Sequence, residues 1–79
     1  MRLDKYLKVS RIIKRRTIAN EVCDAGHVSV NGKVARASYD VRENDIIEVT
    51  MGSNTTKLQV TKVSEHATKD DASLMYKIL

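Results

Sequence analysis

Met1 to Arg16 reads MRLDKYLKVSRIIKRR, and this segment holds half of the basic residues of the chain. It has seven basic residues against one acid, Asp4, whereas the whole 79-residue chain carries a formal net charge of only +4. Residues 17–79 are therefore net acidic. Positive charge confined to one folded segment indicates a polyanionic partner more strongly than a high isoelectric point alone. The basic residues of the segment are Arg2, Lys5, Lys8, Arg11, Lys14, Arg15 and Arg16.

The apolar residues of the same segment recur at helical spacing. Leu3, Tyr6 and Leu7 share one helical face. This pattern predicts a first helix from about Lys5 to Ser10. Asp4 stands directly before it and is the expected N-cap, because a carboxylate there accepts hydrogen bonds from the free N–H groups of the first turn.

A second helix is predicted from about Arg15 to Ala25. It is expected to end at Gly26, because glycine readily adopts the left-handed conformation that closes many helices. Its apolar residues lie on one side and are expected to face the core. The residues of this predicted buried face are Ile18, Ala19, Val22, Cys23 and Ala25.

Beyond Gly26 the apolar period changes from that of a helix to that of strands. Residues 27–30 alternate and Asn31-Gly32 follows, which predicts a hairpin with a type I′ turn because both turn residues tolerate a positive φ. Residues 36–41 are predicted to form a loop. Further strands are expected over residues 45–49 and 56–63, with a turn at residues 52–54 between them.

The tail from Thr68 to Leu79 is predicted to be a helix or a strand. Thr68 could cap a helix, and Asp70 and Asp71 suit the positive end of its dipole. Its apolar side would contain Leu74, Met75 and Ile78. The whole chain is thus predicted to be one α+β domain, with two N-terminal helices packed on a small, mostly antiparallel sheet.

Composition narrows the class of protein further. An apolar fraction of 42% is enough for a globular core. The single cysteine excludes an internal disulfide and fits a reducing cytosol, and no apolar run has the length of a signal peptide core or a membrane span. We therefore expect a soluble, cytoplasmic monomer.

A run of charges is usually a solvated helix face, but two observations favour a binding surface here. Acids spaced for salt bridges within a helix are almost absent from residues 1–16. Lys14, Arg15 and Arg16 also stand at the predicted start of the second helix, where cations oppose the helix dipole at about 0.3–1 kcal/mol each. Clustered cations beside free N–H groups form a phosphate site. Composition and placement therefore favour nucleic acid as the partner.

Four short motifs then occur in order along residues 1–49. They are Arg2-Leu3-Asp4-x-x-Leu7, Arg16-x-x-Ala19, Gly26-x-Val28-x-Val30-Asn31-Gly32 and Val41-x-x-x-Asp45. In identity and spacing they resemble the RNA-binding domain named after ribosomal small-subunit protein four, also called the alpha-L motif. The resemblance implies that the two helices and the hairpin form one RNA-binding face. Residues 50–79 would add an extra strand and the tail.

Two positions depart from that family's pattern. Arg15 stands where the family often has serine, which removes a capping hydroxyl and adds charge. Asn44 stands where the family often has glycine, and asparagine is the next-best residue for a left-handed turn. Neither departure conflicts with the expected fold.

Among small members, residues 2–16 are most similar to the RqcP family, relatives of the fifteen-kilodalton heat-shock protein. That resemblance implies a non-enzymatic factor that binds ribosomal RNA of the large subunit, and tRNA, during rescue of stalled ribosomes. It also implies that an RqcH-type factor is a partner and is assisted in C-terminal tailing of the stalled peptide. The protein would be ribosome-associated.

The expected RNA-binding residues combine the basic segment with the hairpin. Arg2 and Arg16 match family arginines and are expected to make specific phosphate contacts, while the other cations supply the surrounding field. With only three tyrosines and no Phe or Trp, phosphate and shape should outweigh base stacking. The complete set is Arg2, Lys5, Lys8, Arg11, Lys14, Arg15, Arg16, Asn31 and Lys33.

Catalysis, metal binding and cofactors are not expected. Cys23, His27 and His66 are the available soft ligands, and they lack any paired spacing. We interpret Cys23 as a small apolar residue on the inner side of the second helix. His27 could join the RNA face or be an ordinary strand residue, and Tyr39 is interpreted as covering the edge of the core.

Two other functions remain open at this point. The chain could be an adaptor that docks an acidic protein through its basic face. It could also bind DNA through a helix-turn-helix pair, although the Asn31-Gly32 hairpin and the lack of a base-reading helix count against this.

Overall fold

The computed structural model describes all residues from Met1 to Leu79 and has an α+β architecture. Two helices, a five-stranded antiparallel sheet and a one-turn helix follow one another, and the strand order is β2-β1-β3-β4-β5. No helix has the length and apolar character needed to cross a membrane. The elements are α1 (Leu3–Val9), α2 (Arg16–Asp24), β1 (Val28–Val30), β2 (Lys33–Val34), β3 (Ile46–Met51), β4 (Asn54–Val60), α3 (Lys69–Ala72) and β5 (Tyr76–Ile78).

One hydrophobic core joins the helices to the sheet. Leu3, Tyr6 and Leu7 of α1 are fully buried, as predicted from their spacing. They share a single cluster of 16 buried residues with apolar side chains from α2 and from the sheet. The hydroxyl of Tyr6 donates a hydrogen bond of 2.8 Å to the backbone carbonyl of Met75, which ties α1 to the C-terminal segment.

The start of α1 differs from the prediction. The helix begins at Leu3, with Arg2 in the N-cap position and no side-chain cap, so Asp4 lies inside the first turn. The reason is tertiary. The N–H groups of Leu3 and Asp4 donate to the backbone carbonyls of Tyr39 and Ala37, at 2.8 and 3.2 Å, so the loop performs the cap. The Asp4 carboxylate is left available for another role.

The limits of α2 agree with the prediction to within one residue, and its predicted closing glycine is confirmed. Gly26 has a φ of +85°. Its N–H donates to Cys23, and the N–H of His27 donates to Val22, which is the hydrogen-bond pattern of a Schellman motif.

The predicted buried face of α2 was too wide. Only Ala19 and Cys23 are buried, whereas Ile18 is 38% exposed and Ala25 is also exposed. Val22 is half-buried. The helix packs against α1 through a narrow stripe of small residues four apart, so apolar residues beside that stripe remain in contact with solvent.

The Asn31-Gly32 hairpin is confirmed. Both turn residues have positive φ, at +52° and +84°, as a type I′ turn requires. Asn44 also adopts the left-handed conformation expected of it, with φ of +74°. The loop over residues 36–41 is confirmed apart from one isolated bridge between Arg2 and Asp40.

The two longer strands were predicted with inaccurate ends. β3 extends two residues further, to Met51, and β4 begins two residues earlier, at Asn54, so the turn contains only Gly52 and Ser53. β3 starts one residue later, at Ile46, because Asp45 turns its carboxylate to the loop, where it accepts from the N–H of Arg42 at 3.0 Å. β4 ends at Val60, three residues early, because the next two N–H groups both donate to the carbonyl of Met75.

The tail contains both structures that were predicted for it, in sequence. Thr68 caps α3, accepting a hydrogen bond of 3.2 Å from the N–H of Asp71, as expected. The chain then changes period, and β5 pairs with β4 at the edge of the sheet. A continuous apolar helix face is therefore wrong. Met75 is buried, whereas Leu74 and Ile78 are 65% and 57% exposed.

Candidate nucleic-acid interface

A buried carboxylate lies at the centre of the basic segment. The Asp4 side chain is only 3% exposed, and three side chains donate to it. Arg2 Nε donates at 3.1 Å, Asn20 Nδ2 at 3.2 Å and Arg16 Nε at 3.5 Å. The backbone N–H of Lys5 also donates, at 2.8 Å. One acid therefore joins the start of α1 to the start of α2.

The Asp4 carboxyl is ionised more readily than an ordinary aspartic acid. Burial acts to raise its pKa, but the hydrogen bonds from Arg2, Asn20 and the Lys5 N–H, with the charge of Arg16, outweigh burial and lower it. The same hydrogen bond raises the pKa of Arg2. Both partners are thus held in their charged forms.

Arg2 and Arg16 lie side by side and remain accessible. Their side chains are 50% and 49% exposed, although both hold the same buried carboxylate. Arg16 contacts Asp4 through its Nε alone, so its two terminal nitrogens are not used in that contact. A guanidinium fixed on one edge keeps its other N–H groups oriented for a phosphate oxygen.

The local sequence explains this arrangement. Arg16 and Asn20 are four residues apart on α2, so they lie on the same helical face. Asp4 in the first turn of α1 points at that face. Arg2 and Arg16 were predicted from the sequence, whereas Asn20 was not, and Asp4 was predicted to be an N-cap. The available signal was that Asp4 is the only acid among seven bases.

The remaining cations of the basic segment lie in three settings. Lys5 is half-buried and pairs with Glu65 at 3.4 Å. Lys8, Arg11 and Lys14 line an open groove of about 900 Å³ between the end of α1 and the segment before α3. Arg15 is exposed at the N-cap position of α2. The structure thus brings two of the predicted cations together at Asp4 and three together in the groove.

The hairpin residues are placed differently. The side chain of Asn31 is occupied within the protein, because Nδ2 donates to Asp45 at 3.0 Å and Oδ1 accepts from the Ile46 N–H at 2.9 Å. Asn31 therefore shapes the turn rather than offering a free amide. Lys33 is exposed in β2, outside the groove of α1.

Tyr39 and Cys23 have the structural roles predicted for them. Tyr39 packs half-buried against the core and donates to Asp45 at 3.0 Å. Cys23 is buried, and burial raises the pKa of its thiol to about 12, with smaller contributions from Asp4 and Asp24. The structure has no group of three His, Cys, Asp or Glu side chains arranged to hold a metal ion.

Comparison with known proteins agrees with this geometry. Residues 1–47 match the family described as the S4 domain. The chain belongs to the S4 domain family. This S4 domain protein is 49% identical to the RQC P-site tRNA stabilizing factor of Streptococcus pneumoniae, over all of this chain and 90% of the relative. It is also 49% identical to the factor of that name from Bacillus subtilis, over all of this chain and 92% of the relative.

A solved structure extends the match to the whole fold. Heat shock protein 15 from Vibrio cholerae, described as trimeric, superposes on this S4 domain protein with a TM-score of 0.91 at 28% identity. The match covers 100% of this chain and 81% of that chain. The resemblance to the alpha-L domain and to relatives of the fifteen-kilodalton heat-shock protein is thereby confirmed.

Proposed function

We propose that this protein is a non-enzymatic RNA-binding factor that acts on the large ribosomal subunit and its peptidyl-tRNA when translation stalls. The observation that carries the proposal is the Arg2–Asp4–Arg16 cluster, in which two accessible guanidinium groups are fixed on one buried carboxylate. Relatives of nearly the same length carry the name RQC P-site tRNA stabilizing factor, which supports ribosome-associated quality control and P-site tRNA as the context.

The mode of binding follows from the chemistry of the face. Two oriented guanidinium groups can share one phosphate or hold adjacent phosphates, and this requires no particular base. Tyr6 is fully buried, and Tyr39 and Tyr76 are half-buried, so no tyrosine ring is fully exposed for stacking. We therefore propose that recognition depends on phosphate positions and RNA shape.

Each predicted residue has a role in this proposal. Arg2 and Arg16 make the specific phosphate contacts, and Asn31 sets the shape of the hairpin. The remaining cations raise the local positive potential, which speeds association and makes it sensitive to salt. These are Lys5, Lys8, Arg11, Lys14, Arg15 and Lys33.

The finer functional proposal concerns the stalled peptide. A factor that holds the P-site tRNA would keep the attached peptide in place while an RqcH-type partner extends its C-terminus. We propose that the protein acts as a ribosome-associated monomer in this step. Light scattering of the free protein and of its complex with large subunits would test the stoichiometry, and a stable trimer in both would contradict it.

Co-sedimentation with purified large ribosomal subunits tests the central proposal. We expect Arg2→Ala with Arg16→Ala to abolish co-sedimentation at physiological salt, because both oriented phosphate contacts are lost. The matched control is Lys62→Ala with Lys77→Ala, which removes the same charge from exposed positions outside the basic segment. Thermal unfolding of both variants shows that each is folded at the assay temperature.

Two outcomes would contradict the proposal. Undiminished co-sedimentation of the arginine double variant would remove the basis for a phosphate site at Asp4. Partners that bind the purified protein equally well after ribonuclease treatment would favour an adaptor that docks acidic proteins.

A further inference from the structure

The groove beside α1 is lined by cations that make no ion pair, and one of them lies outside residues 1–47, which match the S4 domain. Its volume is about 900 Å³, and Val9 and Ala67 provide its apolar lining. Both apolar residues are half-buried against the core, so they form a floor. The cations that line it are Lys8, Arg11, Lys14 and Lys69, and none of them makes an ion pair within the protein.

The two walls come from different parts of the chain. One wall is the end of α1 and the turn after it, within residues 1–47 that match the S4 domain. The other is residues 65–71, outside that match. The buried hydrogen bond from Tyr6 to Met75 anchors the segment that follows this second wall, and a solvent-exposed Lys5–Glu65 ion pair at 3.4 Å adds a weak contact with α1.

The backbone at Arg11 adds a second, independent observation. Arg11 has φ of +64° in the position after the α1 C-cap, where glycine is favoured. A side chain in this conformation costs about 1–2 kcal/mol. Strained residues of this kind cluster at functional sites. The long cationic side chain at Arg11 therefore stands where the fold alone would favour glycine.

We propose that this groove is a second RNA contact, which binds backbone phosphates between Arg11 and Lys14 on one wall and Lys69 on the other. The inference rests on the proposed RNA-binding function and assigns residues 65–71 a part in it. A sugar-phosphate chain fits this surface because its phosphates can contact the cations on the two walls while its sugars contact the apolar floor. Bound phosphates would also relieve the repulsion among the unpaired cations.

Glu65 and Lys69 provide opposite tests on the same wall. Lys69→Gln removes one phosphate contact and should weaken binding of large ribosomal subunits about five- to eightfold near 0.1 M salt. Glu65→Gln removes an acid from the groove and frees Lys5, so it should strengthen binding. Lys77→Gln is the matched control, because Lys77 is exposed on β5 and does not line the groove.

Unfolding does not explain the expected loss. Lys69 is the first residue of α3, where a cation opposes the helix dipole, so its removal does not weaken the helix. A photo-crosslinking residue placed at position 69 should form adducts with RNA, and the same residue at position 77 should not. Adducts of position 69 with protein alone would overturn the proposal in favour of an acidic protein partner.

The arginine double variant distinguishes this proposal from the one on which it rests. If Arg2→Ala with Arg16→Ala abolishes binding while Lys69→Gln and Glu65→Gln both bind as the native chain does, only the groove assignment is overturned. If the double variant binds normally, the proposed function itself is overturned. We expect losses in the double variant and in Lys69→Gln, with a gain in Glu65→Gln.

Discussion

At the scale of single residues, the role of Asp4 is to hold two cations in place. An acid within a basic surface lowers the overall positive potential, yet this one is buried and fixes Arg2 and Arg16 at 3.1 and 3.5 Å. Holding two flexible side chains in advance reduces the entropy that binding must otherwise remove. The carboxylate therefore favours phosphate binding through geometry, although its charge opposes it.

Asp4→Asn should weaken RNA binding even though it makes the protein more positive. The amide keeps one acceptor oxygen, but it replaces the other by an N–H donor and removes the charge, so it cannot hold both guanidinium groups. Ordering two such side chains costs about 1–3 kcal/mol, which predicts a loss of about fivefold or more. The measurement is the affinity for large-subunit RNA at fixed salt.

The control for this variant is Asp70→Asn. It raises the net charge equally, from an exposed position outside the groove, and should leave affinity unchanged or slightly higher. Tighter binding by Asp4→Asn would show that charge outweighs the positioning of the arginines.

The lowered pKa of Asp4 also predicts an acid-sensitive fold. The ionised carboxylate stabilises the folded state above the ordinary aspartate pKa of about 4, and this contribution is lost as pH falls below that value towards the folded pKa. Asp40 acts in the same direction, because the Met1 ammonium group lowers its pKa.

Urea unfolding at pH 6 and pH 3 measures this effect. The native chain should lose unfolding free energy at pH 3, and Asp4→Asn should lose less because one contributor is absent. An equal loss in the two proteins would contradict the assignment.

Among the elements, the turn after α1 has a backbone conformation that costs stability and places a cation in the groove. Arg11 has a positive φ, which glycine adopts without steric strain, and its side chain lines the groove. The comparable position after α2 is Gly26, with φ of +85°. Both helices are thus followed by a residue with positive φ, but only the residue after α1 is a cation.

Arg11→Gly should keep or raise stability while weakening RNA binding. Relief of the left-handed strain is partly offset by the greater freedom of glycine in the unfolded chain, so we expect a gain of up to about 1 kcal/mol. Loss of one phosphate contact should lower affinity about five- to eightfold near 0.1 M salt. Thermal unfolding and a binding titration measure the two effects, and Arg11→Lys should keep most of the affinity. A lower unfolding temperature for Arg11→Gly than for the native chain would contradict the claim that Arg11 is strained.

Elements that depend on local chemistry were predictable from the sequence. The Asn31-Gly32 turn, the Gly26 helix end and the Thr68 cap were all predicted, because each follows from the backbone preferences of one or two residues. The N-cap role predicted for Asp4 was wrong because its neighbours in space come from the loop at Ala37 and Tyr39 and from α2.

At the scale of the whole molecule, the S4 part and the C-terminal segment act as one body. Tyr6 of α1 is buried and donates to Met75, whose carbonyl also accepts from Thr61 and Lys62. Such contacts between residues far apart in sequence could not be predicted from local patterns. Lys69 was not predicted to bind RNA, because contacts of this kind place its segment beside α1.

The claim that phosphate contacts at Arg2 and Arg16 dominate binding is tested most directly by salt dependence. The affinity for large-subunit RNA should be measured from low to high salt for the native chain and for Arg2→Ala with Arg16→Ala. Each neutralised phosphate contributes about 0.7 to 0.9 to the slope of log K against log salt, so we expect the double variant to be shallower by about 1.4–1.8. Parallel lines for the two proteins would contradict the claim.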